Sequence, residues 1–289
     1  MVFINPRTDF AFKKIFGSEQ NKDILIGFLN ALLYEGKKTI KDLEILNPYQ
    51  APKIKGVKDT YLDVKAQLKS GKTVIVEMQV LNVEGFEKRI LYNAAKAYSI
   101  ELNRAEEYAL LNPVIALTIT NFKMFDSEEM ISNFVFKEKK LSTEYGENDI
   151  ELMFVELPKF KKKLEELETI ADNWLYFIKT AKKLDSIPPI MEKITEINRA
   201  FQVAQEANMT PEELEELQQR EMFIQDQFNA VKLARRLALE EGIEKGEQKG
   251  REEEKTEIAQ QLLNILDDET ISRTTGLSLE EVKKLREGN

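Results

Sequence analysis

Tyr61-Leu62-Asp63-Val64-Lys65-Ala66-Gln67-Leu68 and Thr73-Val74-Ile75-Val76-Glu77-Met78-Gln79-Val80 alternate strictly between apolar and polar positions, with Lys69-Ser70-Gly71-Lys72 between them. Period-two alternation marks a strand with two unlike faces, so the pair is predicted to form a β-hairpin. Leu62, Val64, Ala66 and Leu68 share one face and Asp63, Lys65 and Gln67 the other; Val74, Val76, Met78 and Val80 likewise oppose Thr73, Ile75, Glu77 and Gln79. A three-residue loop over 69–71, with Gly71 left-handed, sets position 68 opposite 72 and therefore 63 opposite 77. A two-residue loop would place Asp63 against Met78 and mix the faces, so pattern and turn chemistry select one register.

Asp63 and Glu77 thus become cross-strand neighbours. Opposed carboxylates are destabilising unless something lies between them. A hard divalent cation suits that place, because Mg2+ takes carboxylate and water oxygens and keeps positions open for a phosphate. A half-solvated antiparallel face, its acids balanced by Lys65 or Lys72, gives the same pattern without any chemistry.

Composition narrows the choice. The chain has 289 residues with 42% hydrophobic content and 16 Phe, enough for a sizeable core and an accessory region. No stretch has the length and apolarity of a membrane span and no apolar leader heads the sequence, so a cytoplasmic protein is expected. The absence of Cys and His excludes disulfides, zinc-thiolate sites, serine-histidine triads and cysteine nucleophiles. Carboxylate-plus-cation chemistry needs neither residue.

Asp63 followed after a short turn by Glu77-Met78-Gln79 resembles the PD-(D/E)XK nuclease superfamily, whose core hairpin bears Asp and then Glu-x-Lys. The wider resemblance is to the PD-(D/E)XK nuclease family transposases, also described as recombination-promoting nucleases. Its marks are Asn5-Pro6-Arg7-Thr8-Asp9-Phe10-Ala11-Phe12-Lys13-Lys14-Ile15-Phe16, Leu62-Asp63-Val64-Lys65, Glu77-Met78-Gln79-Val80 and Phe86-Glu87-Lys88-Arg89-Ile90-Leu91-Tyr92 leading to Tyr98. They run in order over roughly residues 5–157.

The resemblance implies that Asp63 and Glu77 bind Mg2+, or Mn2+ or Ca2+ in its place, with the Met78 carbonyl as a further ligand. It implies hydrolysis of a DNA phosphodiester by an in-line water, and a water-orienting role for the third motif position. Gln79 departs from the family's lysine there: its amide hydrogen-bonds a water or phosphate but is neither charged nor basic. Lys65, two residues after Asp63 on the same face, is a candidate for the missing charge, or a surface lysine at a strand end. Asp9 is either an additional site acid or the cap of the helix that follows it. Arg89 and Tyr92, three apart on one helix, share a face and either contact phosphate or pack.

Charge is unevenly spread. Residues 1–100 hold 16 Lys and Arg against 11 Asp and Glu, whereas the remainder holds 26 against 40. Lys53, Lys55 and Lys58, with Lys65, Lys69 and Lys72, crowd the hairpin and suit a DNA backbone, as would any solvated lysine-rich loop.

The expected architecture is α/β, a restriction-endonuclease-like mixed sheet in the order α-β-β-β-α-β, then an all-helical C-terminal region. Predicted elements are a helix capped by Ser18 to about residue 33, a strand at 43–47, the hairpin, a helix over 85–104, and strands at 113–120 and 150–157. Pro158 marks the change of character, giving domains at 1–157, 158–249 and 250–289. Thr210-Pro211-Glu212-Glu213 is a helix start with a capping box. Gly242, Gly246 and Gly250 punctuate a charged segment read as solvated helix or linker. The tail reads as two small helices turned at Gly276 and capped at Ser278, either packing alone or presenting Lys283, Lys284 and Arg286 to DNA. Three functions follow: a Mg2+-dependent DNA endonuclease tied to recombination or mobile elements, a non-catalytic DNA-binding descendant, or a helical scaffold that forms homo-oligomers through its C-terminal helices.

Overall fold

The computed structural model describes residues 1–50, 60–100, 107–146 and 148–288. Thr8 caps α1 (Asp9–Phe16) by accepting the Ala11 N–H, and the spacing of Ala11, Phe12, Ile15 and Phe16 buries one stripe of it. A short 3₁₀ turn headed by Ser18 leads into α2 (Lys22–Leu33), which buries Ile24, Leu25, Phe28, Leu29 and Leu32. Asn30 closes the loop beyond it through two 2.8 Å hydrogen bonds with the Ile40 main chain.

The chain continues through β1 (Leu43–Leu46), β2 (Tyr49–Gln50), β3 (Thr60–Tyr61), β4 (Val64–Leu68), β5 (Thr73–Gln79), α3 (Phe86–Ser99), β6 (Val114–Thr120), β7 (Ile131–Phe134) and β8 (Ile150–Glu156). Six strands form one mixed sheet in the order β1-β4-β5-β6-β8-β7, while β2 and β3 pair apart. β5, β6 and β8 are parallel neighbours, and β1, β4 and β7 run antiparallel to theirs. The crossover helix α3 connects β5 to β6, the connection that parallel neighbours require. β7 and the β2–β3 ribbon are additions to the expected order. The expected helix over 85–104 is seen as Phe86–Ser99, and residues 101–106 lie outside the described residues.

The hairpin takes the expected register. Val64 faces Val76 and Gln67 faces Thr73, the Leu68 N–H donates to the Lys72 carbonyl at 2.8 Å, and Gly71 has φ +91°. A Cβ on Gly71 would stand 2.4 Å from Asn112 Oδ1, so glycine is required here by both conformation and space.

Two features depart from simple alternation. The chain bends at Asp63, so Leu62 packs in the α3-side cluster that holds Ile75 and not beside Val64. The face bearing Ile75 and Glu77 is covered by Phe86, Ile90, Ala94 and Ala97 of α3, which turns a strand expected to be half solvated into one buried on both faces.

The other face of the sheet meets α1, α2 and the helices beyond Pro158: α4 (Ile170–Thr180), the single turn α5 (Pro189–Glu192) and α6 (Thr195–Val203). Trp174 of α4 is fully buried, its ring 5.9 Å from Phe16 and 5.5 Å from Phe28. Each such aromatic adds about 1.5–3 kcal/mol by burial. Pro158 therefore lies inside the first of two compact units, Met1–Ile224 and Gln225–Asn289.

The long helix α7 (Pro211–Leu262) begins with the expected box, Thr210 and Glu213 bonding each other's main-chain N–H. It stays helical through Gly242, Gly246 and Gly250. Within the second unit, α8 (Asp268–Thr275) and α9 (Leu279–Glu287) pack Ile271 and Val282 on Ala259 and Leu263. Gly276 makes the turn with φ +76°, and Ser278 with Glu281 forms the capping box. Arg286 is spent on structure: it binds Asp268 at 2.7 Å and the carbonyls of Leu263 and Leu266.

Candidate active site

The bend before β4, strand β5 and helix α1 bring the carboxylates of Asp63, Glu77 and Asp9 toward one end of the hairpin. Asp63 sits in the bend between β3 and β4, where its Oδ2 accepts the Met78 N–H at 2.8 Å. The bond fixes the carboxylate beside the Glu77–Met78 peptide, one step beyond the Val64–Val76 pair.

Asp9, in the first turn of α1, hydrogen-bonds the Asp63 carboxyl. Thr8 is the cap of that helix, which leaves Asp9 free of capping duty. Lys13, one turn on, places its Nζ 2.7 Å from Asp9 and 3.7 Å from Asp63.

Burial, then the hydrogen bond that protonated Asp63 donates to Asp9, then the charges of Asp9 and Glu77 push the Asp63 carboxyl up to about 8. Burial also acts to raise Asp9, but the hydrogen bonds from Asp63 and Lys13 outweigh it and hold Asp9 below the ordinary carboxylate range. The two carboxyls thus share a proton held on Asp63, as crowded acid pairs do.

Glu77 is only 8% exposed. Burial raises its pKa against the opposing hydrogen bond from Asn93 and the charges of Arg89 and Lys13. Asn93 Nδ2 donates to Glu77 Oε1 at 2.8 Å, and its Oδ1 is buried with no hydrogen-bond partner.

Gln79 stands at the end of β5, and both ends of its amide are engaged. Nε2 donates to the Leu81 carbonyl at 2.7 Å, and Oε1 accepts from Arg89 Nη2 at 2.7 Å. Its carbonyl accepts the Asn121 N–H, and Asn121 Oδ1 in turn accepts from Arg7 Nη1, both at 2.9 Å.

Lys65 is half buried and pairs in register with Ile75, and Lys13 is in contact with Asp9 and Asp63. Lys53, Lys55 and Lys58 fall outside the described residues. Tyr92 is 39% exposed and lies 6.0 Å from Lys96 Nζ. An apolar cleft of about 740 Å³, lined by Tyr98, Phe136, Tyr145 and Ile150 among others, includes none of the acids.

Lys13, Asn93 and Arg7 are the residues that reading the strands alone does not reach. Two signals were present: Asp9 and Lys13 are four apart on one helix, as are Arg89 and Asn93, so each pair shares a helical face.

The donor set fits a hard cation. Asp63 and Glu77 are neighbouring carboxyls that burial pushes upward, and Asp9 lies against Asp63, a set of hard oxygen donors of the kind Mg2+ takes. Among the described residues no three acids are grouped so as to hold a metal ion together, so a cation here would rest on fewer acids, completed by main-chain, water or phosphate oxygens.

A mixed sheet with Asp and Glu-x-Gln on adjoining strands, flanked by helices on both faces, is a restriction-endonuclease-like fold. The sequence profile of the PD-(D/E)XK nuclease family transposases matches residues 6–234, and the chain belongs to that family. It is thereby a nuclease-family protein associated with transposition. No curated protein and no solved structure matches it.

Proposed function

We propose that the chain is a DNA endonuclease that hydrolyses phosphodiester bonds with the help of a divalent cation, Mg2+ or Mn2+ with Ca2+ as a non-catalytic substitute, and serves recombination or a mobile element. One observation carries the reading: the Asp63 carboxylate is anchored on the Met78 N–H beside Glu77 while in contact with Asp9. Asp63, Glu77 and the Met78 carbonyl would hold the cation, with Asp9 as an additional acid. A bound Mg2+ would neutralise charge on the scissile phosphate and activate water toward phosphorus.

The chain's own groups prepare this. Asn93 orients Glu77, and the main-chain bond to Met78 orients Asp63, so neither acid pays for reorientation when DNA arrives. Gln79 ties Arg89 and Leu81 together and keeps one Nε2 hydrogen for a water or phosphate oxygen. Arg89 brings positive charge beside the acids, and the lysine-rich connection at Lys53, Lys55 and Lys58 would follow the backbone. Its setting is the cytoplasm, where DNA is present; among the described residues no helix is long and apolar enough to cross a membrane.

A second reading has an observation of its own. Gln79 bears no charge and serves as a strut, which favours a slow enzyme or a DNA-binding protein that no longer cuts. Supercoiled plasmid incubated with Mg2+ or Mn2+ separates the two. Nicking by the wild type, lost in Asp63→Ala and Glu77→Ala, supports the endonuclease; retention of plasmid without nicking supports the binder. Homo-oligomerisation through the C-terminal helices belongs to the same proposal and is read from sedimentation of the full chain.

A further inference from the structure

The motif's third position carries no charge, yet the acid site is not without a cation. Lys13 enters from α1, a different element about fifty residues before the hairpin in sequence. Its ammonium lies 2.7 Å from Asp9 and 3.7 Å from Asp63, and its charge also acts on Glu77. It therefore bears on all three acids at once.

The support beneath it is rigid. α1 is capped by Thr8 and pinned by Ala11, Phe12, Ile15 and Phe16, all fully buried. The Lys13 side chain is 41% exposed, so its head reaches the acids while still facing solvent, the side from which a phosphate arrives. An ammonium on a four-carbon stem is a mobile point charge with three donors, able to leave one anion for another.

An i,i+4 pair with Asp9 alone would be an ordinary surface contact worth little. The second contact, to the half-buried carboxyl of Asp63 beside Glu77, is what such a pair does not explain.

We infer that Lys13 is the built-in cation of this site: it balances Asp9 and Asp63 while no divalent cation is present, and transfers its contact to a non-bridging oxygen of the scissile phosphate when DNA binds. This assignment rests on the endonuclease reading. It makes Lys13 the charge that Gln79 does not supply, delivered from a helix and not from β5.

The inference has two consequences of opposite sign. As a like charge at the site, Lys13 opposes divalent-cation binding; as a phosphate contact, it promotes DNA binding and cleavage. Calorimetric titration of the full chain with Mn2+ tests the first, and affinity for labelled duplex in Ca2+ together with plasmid nicking in Mg2+ tests the second. Lys13→Met is expected to bind Mn2+ about tenfold more tightly, to bind duplex about tenfold more weakly, and to nick at least about a hundredfold more slowly. Lys13→Arg, which keeps the charge, is expected to restore wild-type Mn2+ affinity and part of the nicking.

A merely structural lysine predicts the reverse order: loss of a brace weakens Mn2+ binding in Lys13→Met and leaves duplex affinity alone. Unchanged or weaker Mn2+ binding in Lys13→Met, or nicking within about threefold of wild type, overturns the assignment. A wild type that binds Mn2+ and duplex but never nicks refutes the endonuclease reading separately, and Lys13 is then judged on the Mn2+ and duplex affinities alone. Lys13→Gln replaces Lys13→Met should the latter unfold.

Discussion

Two buried acid sites lie at strand ends of the same sheet, and they are compensated in different ways. Glu156, at the end of β8, is fully buried and accepts from the Met124 N–H at 2.5 Å, from the Phe125 N–H at 3.3 Å and from Lys159 Nζ at 2.5 Å. Lys159 is itself buried and also donates to the Glu129 carbonyl at 3.0 Å. Every charge there has a fixed partner. Glu77 is buried and Asp63 half-buried, each with one firm hydrogen bond, acids for neighbours and only the 3.7 Å reach of Lys13 as a nearby cation for Asp63, and both carboxyls are pushed upward. A satisfied buried charge holds a fold together, whereas an under-compensated one marks a place prepared for something that arrives later.

The contrast breaks if the two sites respond alike to mutation. Lys159→Met strands Glu156 without its cation and is expected to cost about 3–5 kcal/mol in denaturant unfolding, while cleavage per folded molecule stays near wild type. Asp63→Asn should do the opposite. It is expected to lower plasmid cleavage about a thousandfold, equivalent to about 4 kcal/mol of barrier, without lowering stability. The sign follows from the upward shift: Asp63 is raised from 3.8 to about 8, so its favourable contribution is complete below pH 3.8 and is lost as the pH rises toward 8. At pH 8 the uncharged Asn should therefore unfold no earlier than wild type.

Divalent cation sharpens the comparison further. Added Mg2+ or Ca2+ is expected to stabilise the wild type by about 2.7 kcal/mol at a hundredfold excess over its dissociation constant, and to leave the Asp63→Asn, Glu77→Gln double variant unmoved. Equal shifts in both proteins would mean that the ion binds elsewhere.

The smallest effect concerns Asp172, an acid of the Glu156 kind. Burial acts to raise it, but hydrogen bonds from Lys162 and the Thr169 and Glu168 N–H groups hold it below the usual 3.8. Its support of α4 is present above pH 3.8 and lost as the pH falls through the depressed native value. Asp172→Asn should cost about 1 kcal/mol at pH 7 and progressively less in acid, read from melting curves over that range.

The hairpin register was legible because two independent signals, alternation and Gly71, had a single common solution. The neighbourhood of Asp63 and Glu77 followed from it. The coverage of that face by α3 was not legible, since Ile75 interrupts a polar series by only one residue, and burial of Glu77 arises from a separate helix that begins only at Phe86. The bend at Asp63 escaped for a related reason: Leu62 satisfies the alternation yet belongs to the other cluster. Lys13 was hidden because contacts between α1 and the bend are set by packing, not by spacing within either segment. Much of the C-terminal architecture was readable from capping residues, because Thr210 and Ser278 act within their own helices.

The embedding of Trp174 against Phe16 and Phe28 has a practical result for anyone dividing this chain. A fragment ending at residue 157 retains every motif acid but strips the aromatic backing from the helix that carries Asp9 and Lys13. Such a piece would expose a greasy flank and aggregate, so its silence in a nicking assay would report the missing buttress and say nothing about the chemistry.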